Sequence, residues 1–160
     1  MTTTSSKTYN QKKQHLLKAF QQLSQTNSTI SLSKPTSNLF RPRAKTQQTK
    51  LPLREFNQII NIDTEKQLVE VEGMTTYENL VEETLKHGFI PAVVPELKTI
   101  TIGGAATGIG IEATSFKYGF VHETIEEIEI LTGRLCEREP LCSPGKQSAC
   151  HTKDIFIPHL

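Results

Sequence analysis

The feature that most constrains this chain is a cluster of glycines in residues 99–112, Thr99-Ile100-Thr101-Ile102-Gly103-Gly104-Ala105-Ala106-Thr107-Gly108-Ile109-Gly110-Ile111-Glu112. Glycine lets the main chain take conformations closed to other residues and lets a ligand approach with no Cβ in the way. Successive glycines let amide N–H groups converge on a phosphate or pyrophosphate. Thr101 and Thr107 add hydroxyl donors. The bland alternative is a tight turn with no ligand. Gly108-Ile109-Gly110-Ile111-Glu112-Ala113 also fits the loose G-x-G-x-x-A form of a dinucleotide fold. That fold needs an amphipathic helix opening at the second glycine, and Ala113 to Gly119 offers none.

The flanking segments read as short alternating elements. Leu16, Leu17, Phe20 and Leu23 recur at helical spacing, which predicts an amphipathic helix over 7–24. Residues 29–33 alternate like a short strand, and Lys34-Pro35-Thr36-Ser37-Asn38 is a polar loop. Leu51–Leu53 and Phe56–Asp63 predict two strands; Thr64-Glu65-Lys66 predicts a turn into a strand at Leu68–Glu72, forming an antiparallel pair. Thr75 and Glu78 have the spacing of a capping box. They would open a helix with Tyr77, Leu80, Val81, Thr84 and Leu85 on one face, ended by Gly88 in the left-handed conformation. Phe89 to Pro95 is extended but broken by prolines, and Ser115 to Gly119 is a loop. Val121–Leu131 predicts a strand with its acidic residues on the wet face, and Thr132-Gly133 should open a hairpin. The expected class is α+β.

Charge is segregated. Residues 1–50 hold nine Lys/Arg and no Asp or Glu, whereas 51–133 hold five basic and fourteen acidic residues. A basic arm can serve nucleic acid, but this one lacks interleaved aromatics, so no nucleic-acid partner is expected. It is expected to pack against the acidic body or near an anionic cofactor. No apolar run approaches the length of a membrane span, and residues 1–7 contain no apolar core of a secretory leader. With three cysteines, all after residue 135, and no disulfide framework, a cytoplasmic location is expected.

The run Pro91-Ala92-Val93-Val94-Pro95-Glu96-Leu97, then Thr101-Ile102-Gly103-Gly104, then Gly108-Ile109-Gly110-Ile111-Glu112-Ala113-Thr114-Ser115 and Lys117-Tyr118-Gly119, resembles the FAD-binding domain of the p-cresol methylhydroxylase and vanillyl-alcohol oxidase flavoenzymes. Within them it is most similar to the Δ24-sterol reductase branch, over residues 29–133. The resemblance implies two small α+β halves with FAD between them, the second half incomplete here. It implies that the Thr-x-Gly-Gly segment wraps the pyrophosphate through main-chain amides. Pro95, Glu96, Thr101, Ile102, Gly103, Gly104, Gly108, Gly110, Ile111 and Glu112 would line FAD, with Ser37 from the earlier loop. Lys34 and Arg41 are further phosphate candidates, although that loop lacks the common Arg-Gly-Gly-His-Ser wording. Some relatives tether flavin through a histidine of that loop; no His falls between residues 16 and 86, so FAD is expected to be non-covalent.

The resemblance also implies hydride transfer through flavin N5 and a small-molecule substrate bound by parts of the family that lie outside this chain. The organisation expected is a basic helical extension at 1–28, a partial FAD-binding domain at 29–133, and a divergent tail at 134–160. That tail reads as a frameshift or fragment, or as a diverged insertion in which Cys142-Ser143-Pro144 and Asp154-Ile155-Phe156 echo the family. Without a partner after Gly133 the strand at 125–131 should have an open, Ile-rich edge. Cys136, Cys142, Cys150 and His151 lack the close cysteine pair of a zinc knuckle. The functional rivals are a cofactor-holding part of a flavin oxidoreductase, a nucleotide-binding remnant without turnover, and a Rossmann-type protein.

Overall fold

A computed structural model describes residues 4–25, 30–33, 49–131 and 152–158. Helix α1 (Thr4–Ser24) is followed by β1 (Ile30–Ser33) and β2 (Thr49–Pro52), which pair in parallel. β3 (Ile59–Asp63) and β4 (Leu68–Val71) form the expected antiparallel pair. Then come α2 (Tyr77–Leu85), β5 (Phe89–Pro91), α3 (Ile102–Thr107), α4 (Ser115–Tyr118), a 3₁₀ turn at Val121–Thr124, β6 (Ile125–Glu127) and β7 (Thr152–Pro158). The class is mixed α and β with small sheets, as expected from the sequence.

The larger sheet has five strands, ordered β3-β4-β7-β5, with β6 also paired to β7. This overturns the expectation of an unpartnered strand at 125–131 for its first three residues, Ile125–Glu127. β7 pairs antiparallel with β4, from Leu68↔Ile155 to Val71↔Thr152, and with β6, through Ile125↔Asp154 and Glu127↔Lys153. Its far half pairs with β5. A segment of the tail, the one holding the Asp154-Ile155-Phe156 echo, thus supplies the central strand through backbone ladders to β4, β5 and β6. The strand expected over 121–131 shrinks to Ile125–Glu127, preceded by the 3₁₀ turn. Beyond it the expected facing is reversed. Ile128 and Ile130 are 45% and 51% exposed, whereas the Glu129 carboxylate is 12% exposed and receives Lys13 Nζ and the Tyr9 hydroxyl.

The core gathers Val69 and Val71 of β4, Tyr77 and Leu80 of α2, Ala92 and Val93, Ile102 and Ala105 of α3, and Val121. All are aliphatic or small except Tyr77, in keeping with a chain that has no Trp. α2 buries Tyr77, Leu80 and Thr84, but Leu85 lies exposed at its end. The capping box expected at Thr75 and Glu78 is not formed. Thr76 is the N-cap, accepting from the Asn79 amide at 3.3 Å. The Thr75 hydroxyl is buried and donates to the Gln58 carbonyl at 3.2 Å. Glu78 instead meets Lys98 Nζ at 2.5 Å, and that pairing raises the Lys98 pKa. The first amides of α2 are taken by loop carbonyls: Tyr77 N–H by Ile100 and Glu78 N–H by Lys98, both at 3.0 Å. Gly88 has φ +78 and open space where a Cβ would stand, so conformation alone explains glycine there.

Helix α1 docks on β2 and β3, and its Tyr9 and Phe20 are buried, the Tyr9 ring meeting Phe56 edge-on at 6.3 Å. Lys12 pairs with Glu72 and Lys13 with Glu129. Those two cations therefore meet the acidic body, the first of the two settings expected for the basic arm. Among the described residues no helix is long and apolar enough to cross a membrane.

Candidate functional site

Residues 95–112 wrap around α3, a helix of only six residues. It forms because Thr101 caps it: its Oγ1 accepts from the Gly104 amide at 3.2 Å, and its carbonyl accepts from Ala105 N–H at 2.9 Å. Ile102, wholly buried, anchors the first turn in the core, a burial worth about 1.5–3 kcal/mol. At the far end Gly108 closes the helix on the Gly104 carbonyl, and Thr107 Oγ1 donates to the Gly103 carbonyl at 2.7 Å.

This geometry corrects one part of the sequence reading. The Gly-Gly pair was expected in a loop whose amides grip a diphosphate; it forms instead the first turn of a helix. Its amides are already bonded within the chain. Ile102 N–H donates to the Thr75 carbonyl at 2.9 Å, Gly103 N–H to the Gly73 carbonyl at 2.8 Å, and Gly104 N–H to Thr101. The physical reason is that the first amides of any helix need partners from outside it, and the turn after β4 supplies two carbonyls.

The two glycines also differ in kind. A Cβ on Gly103 would stand 2.8 Å from the Gly73 carbonyl oxygen and 3.5 Å from two further Gly73 backbone atoms. Neither residue has positive φ, so close backbone approach requires glycine at 103. Apart from the helix's own backbone, a Cβ on Gly104 would meet only Thr101 Oγ1, at 3.0 Å. That one neighbour is a side-chain atom, and Gly104 is partly exposed, so its Cβ direction is less confined by backbone than that of Gly103.

After α3 the chain turns through Ile109, a β-branched residue held at φ +53. The Gly110 amide bonds to the Ala105 carbonyl and its own carbonyl accepts from Val121 N–H, at 2.9 and 3.0 Å. The amides of Ile109 and Ile111 make no hydrogen bond to a described residue. Both side chains project outward, 60% and 65% exposed. The Glu112 amide donates to Ser115 Oγ at 3.0 Å, while its carbonyl accepts from the Ser115 amide. Thr114 Oγ1 then donates to the Ala92 carbonyl at 3.0 Å, tying this turn to the 92–97 loop. There Pro95 is buried and Glu96 exposed.

The sequence-predicted residues from Thr101 to Glu112 therefore share one structural unit, and the loop bearing Pro95 and Glu96 is bonded to its continuation. Ser37, Lys34 and Arg41 lie outside the described residues, as do Cys136, Cys142, Cys150 and His151. Sequence reasoning missed Gly73 and Thr75, whose carbonyls mount α3. Gly73 carries a signal, a glycine directly after an alternating strand.

An FAD binding domain model matches residues 10–134. The chain belongs to the FAD-binding domain family of flavoprotein oxidoreductases. A Δ24-sterol reductase homolog of Caenorhabditis elegans is 32% identical over 118 residues, covering 72% of this chain. The human Δ24-sterol reductase is 34% identical over 92 residues, covering 56% of it. The chain spans 22% of the length of the first relative and 17% of the second. Among solved structures, 6-hydroxy-D-nicotine oxidase from Arthrobacter nicotinovorans shares the fold at TM-score 0.67 and 20% identity, over 89% of this chain and 34% of that one. Alkyldihydroxyacetonephosphate synthase shares it at TM-score 0.65 and 13% identity, over 88% and 28%. The family match makes FAD the cofactor class. The residues around α3 fit such a group: a glycine at 104 whose Cβ direction meets only a side-chain oxygen, amides at Ile109 and Ile111 without a hydrogen bond to a described residue, and two exposed isoleucines that carry them.

Proposed function

We propose that this chain binds FAD non-covalently across the face formed by residues 95–112, as the cofactor-holding part of a flavin-dependent oxidoreductase with sterol-reductase-like chemistry. The observation that carries this reading is the coincidence of the family match over 10–134 with a partly exposed Gly104 whose Cβ direction meets only the Thr101 hydroxyl oxygen. When bound, FAD supplies hydride transfer at its N5. The chain's own residues bind and orient. Gly104 admits the ligand to the main chain, and Thr101, whose oxygen already accepts from Gly104, keeps its hydroxyl hydrogen to donate outward. The amides of Ile109 and Ile111 offer two more donors, and their side chains offer apolar cover. Pro95 and Glu96 border the same unit, and Ser37 belongs to the same proposed contact set. A small-molecule substrate would be bound by parts of the family outside this chain.

The supporting case for non-covalent binding is the absence of histidine from residues 16–86. The test is reconstitution. Purified chain mixed with FAD should carry the flavin absorption band through gel filtration, and acid precipitation should release that flavin into the supernatant. Flavin retained on the precipitated chain refutes the non-covalent mode. No co-migration at large FAD excess favours a second reading, a nucleotide-binding remnant without turnover. That reading draws on the amides of residues 102–104, which already have partners in the chain.

A further inference from the structure

One strong feature of the described residues lies far in sequence from the cofactor face. The Glu72 side chain is 1% exposed, and Lys12 Nζ, from α1, meets both its oxygens at 2.7 and 2.8 Å. One of those oxygens also accepts from the Gln58 amide at 2.9 Å. Lys12 further donates to the Glu55 carbonyl at 2.6 Å and lies 5.7 Å from the Phe56 ring centroid. A carboxylate this deep persists only when its charge is paired and its lone pairs are hydrogen-bonded, and losing one partner of such a pair is costly.

Glu72 opens the turn on which α3 is mounted. Its amide bonds to the Gln58 carbonyl and its carbonyl accepts from Thr75 N–H, both at 2.9 Å. The Thr75 hydroxyl returns to the same Gln58 carbonyl. Gly73 and Thr75 then present the carbonyls that take the amides of Gly103 and Ile102. An unbroken set of bonds runs from Lys12 through Glu72 and its turn to the first turn of α3.

We infer that Lys12 is a positioning residue for the cofactor face: by pairing with Glu72 it holds the 72–75 turn, and that turn sets where α3 presents Gly104. Helix α1 is then a working part of the cofactor module. This inference rests on the reading of residues 95–112 as the FAD face.

The experiment compares the full chain with Lys12→Met, Lys12→Arg and the double variant Lys12→Met/Glu72→Gln. Amide hydrogen exchange is read at Ile102, Gly103 and, as a reference, Val69 in β4. FAD affinity is read by quenching of flavin fluorescence. In Lys12→Met, exchange at 102 and 103 should rise about tenfold relative to Val69, and FAD affinity should fall about tenfold; Lys12→Arg should restore both. If Lys12→Met does not fold, the double variant, which buries no unpaired charge, carries the test. Its exchange at 102 and 103 should still exceed the wild type by about threefold relative to Val69. Exchange that rises equally at all three sites reports general destabilisation and overturns the inference, as does unchanged FAD affinity when 102 and 103 loosen. A wild-type chain that takes up no FAD sinks the site reading and the inference with it. Unaltered exchange alongside intact FAD binding sinks the inference alone.

Discussion

Substituting the two adjacent glycines separately should divide fold from site. In Gly103→Ala the new methyl would sit 2.8 Å from the Gly73 carbonyl oxygen, a backbone atom that moves only with the whole turn. Relieving the clash pushes α3 off its mount and stretches the 2.8 Å bond from Gly103 N–H to that same oxygen. Overpacking of this kind costs about 1–3 kcal/mol, and the weakened hydrogen bond about 0.5–1.5 kcal/mol more. Alanine returns about 1 kcal/mol of helix propensity. The net is a destabilisation of about 1–3 kcal/mol, a urea midpoint lowered by about 1 M at an ordinary slope. In Gly104→Ala the methyl meets only the Thr101 hydroxyl oxygen, a side-chain atom that can rotate away. Losing that cap bond costs about 1 kcal/mol, which the propensity gain offsets, leaving stability within about 1 kcal/mol of the wild type. FAD affinity should then fall in Gly104→Ala because the methyl fills the Cβ direction. Urea unfolding followed by circular dichroism, with flavin quenching on the same preparations, measures both. A Gly103→Ala protein as stable as the wild type would refute the packing argument. A Gly104→Ala protein with full FAD affinity would refute the approach argument.

Three further outcomes are expected. Ile109→Gly should stabilise the chain by about 1 kcal/mol, because it relieves a β-branched residue at φ +53, and thermal unfolding reads the gain. Thr76→Ala should cost about 1 kcal/mol of stability through loss of the α2 cap, measured by urea unfolding. The Asp63 carboxylate accepts from the Lys66 amide, which holds its pKa below the ordinary value. A group lowered on folding contributes stability above its unfolded pKa and loses it as pH falls through the folded one. Stability should therefore decline on acidification below about pH 4, and Asp63→Asn should flatten that limb; identical acid limbs would refute the assignment.

The local patterns translated into structure wherever one residue's neighbours in sequence were also its neighbours in space. The α1 period, the β3–β4 alternation and the left-handed Gly88 are of this kind, since each depends on bonds or sterics within a few residues. The glycine cluster, through its order with Thr101 and Glu112, marked the family, but its Gly-Gly pair forms the first turn of a helix in place of the expected loop. The capping residue of α2 moved by one position because Thr75 was drawn to Gln58, seventeen residues away. Glu129 left the wet face because α1 brings Lys13 and Tyr9 to it.

The primary sequence alone determined the family, through the order of its glycine cluster, and the absence of side chains there, because glycine's missing side chain is a property of the residue itself. Tertiary structure decided how that absence is used. One glycine faces a carbonyl thirty residues away in sequence, its neighbour faces only the hydroxyl oxygen of its own helix cap, and a lysine near the start of the chain neutralises the acid beneath their mount. Those roles depend on which distant atoms arrive at each position, and no local pattern carries that information.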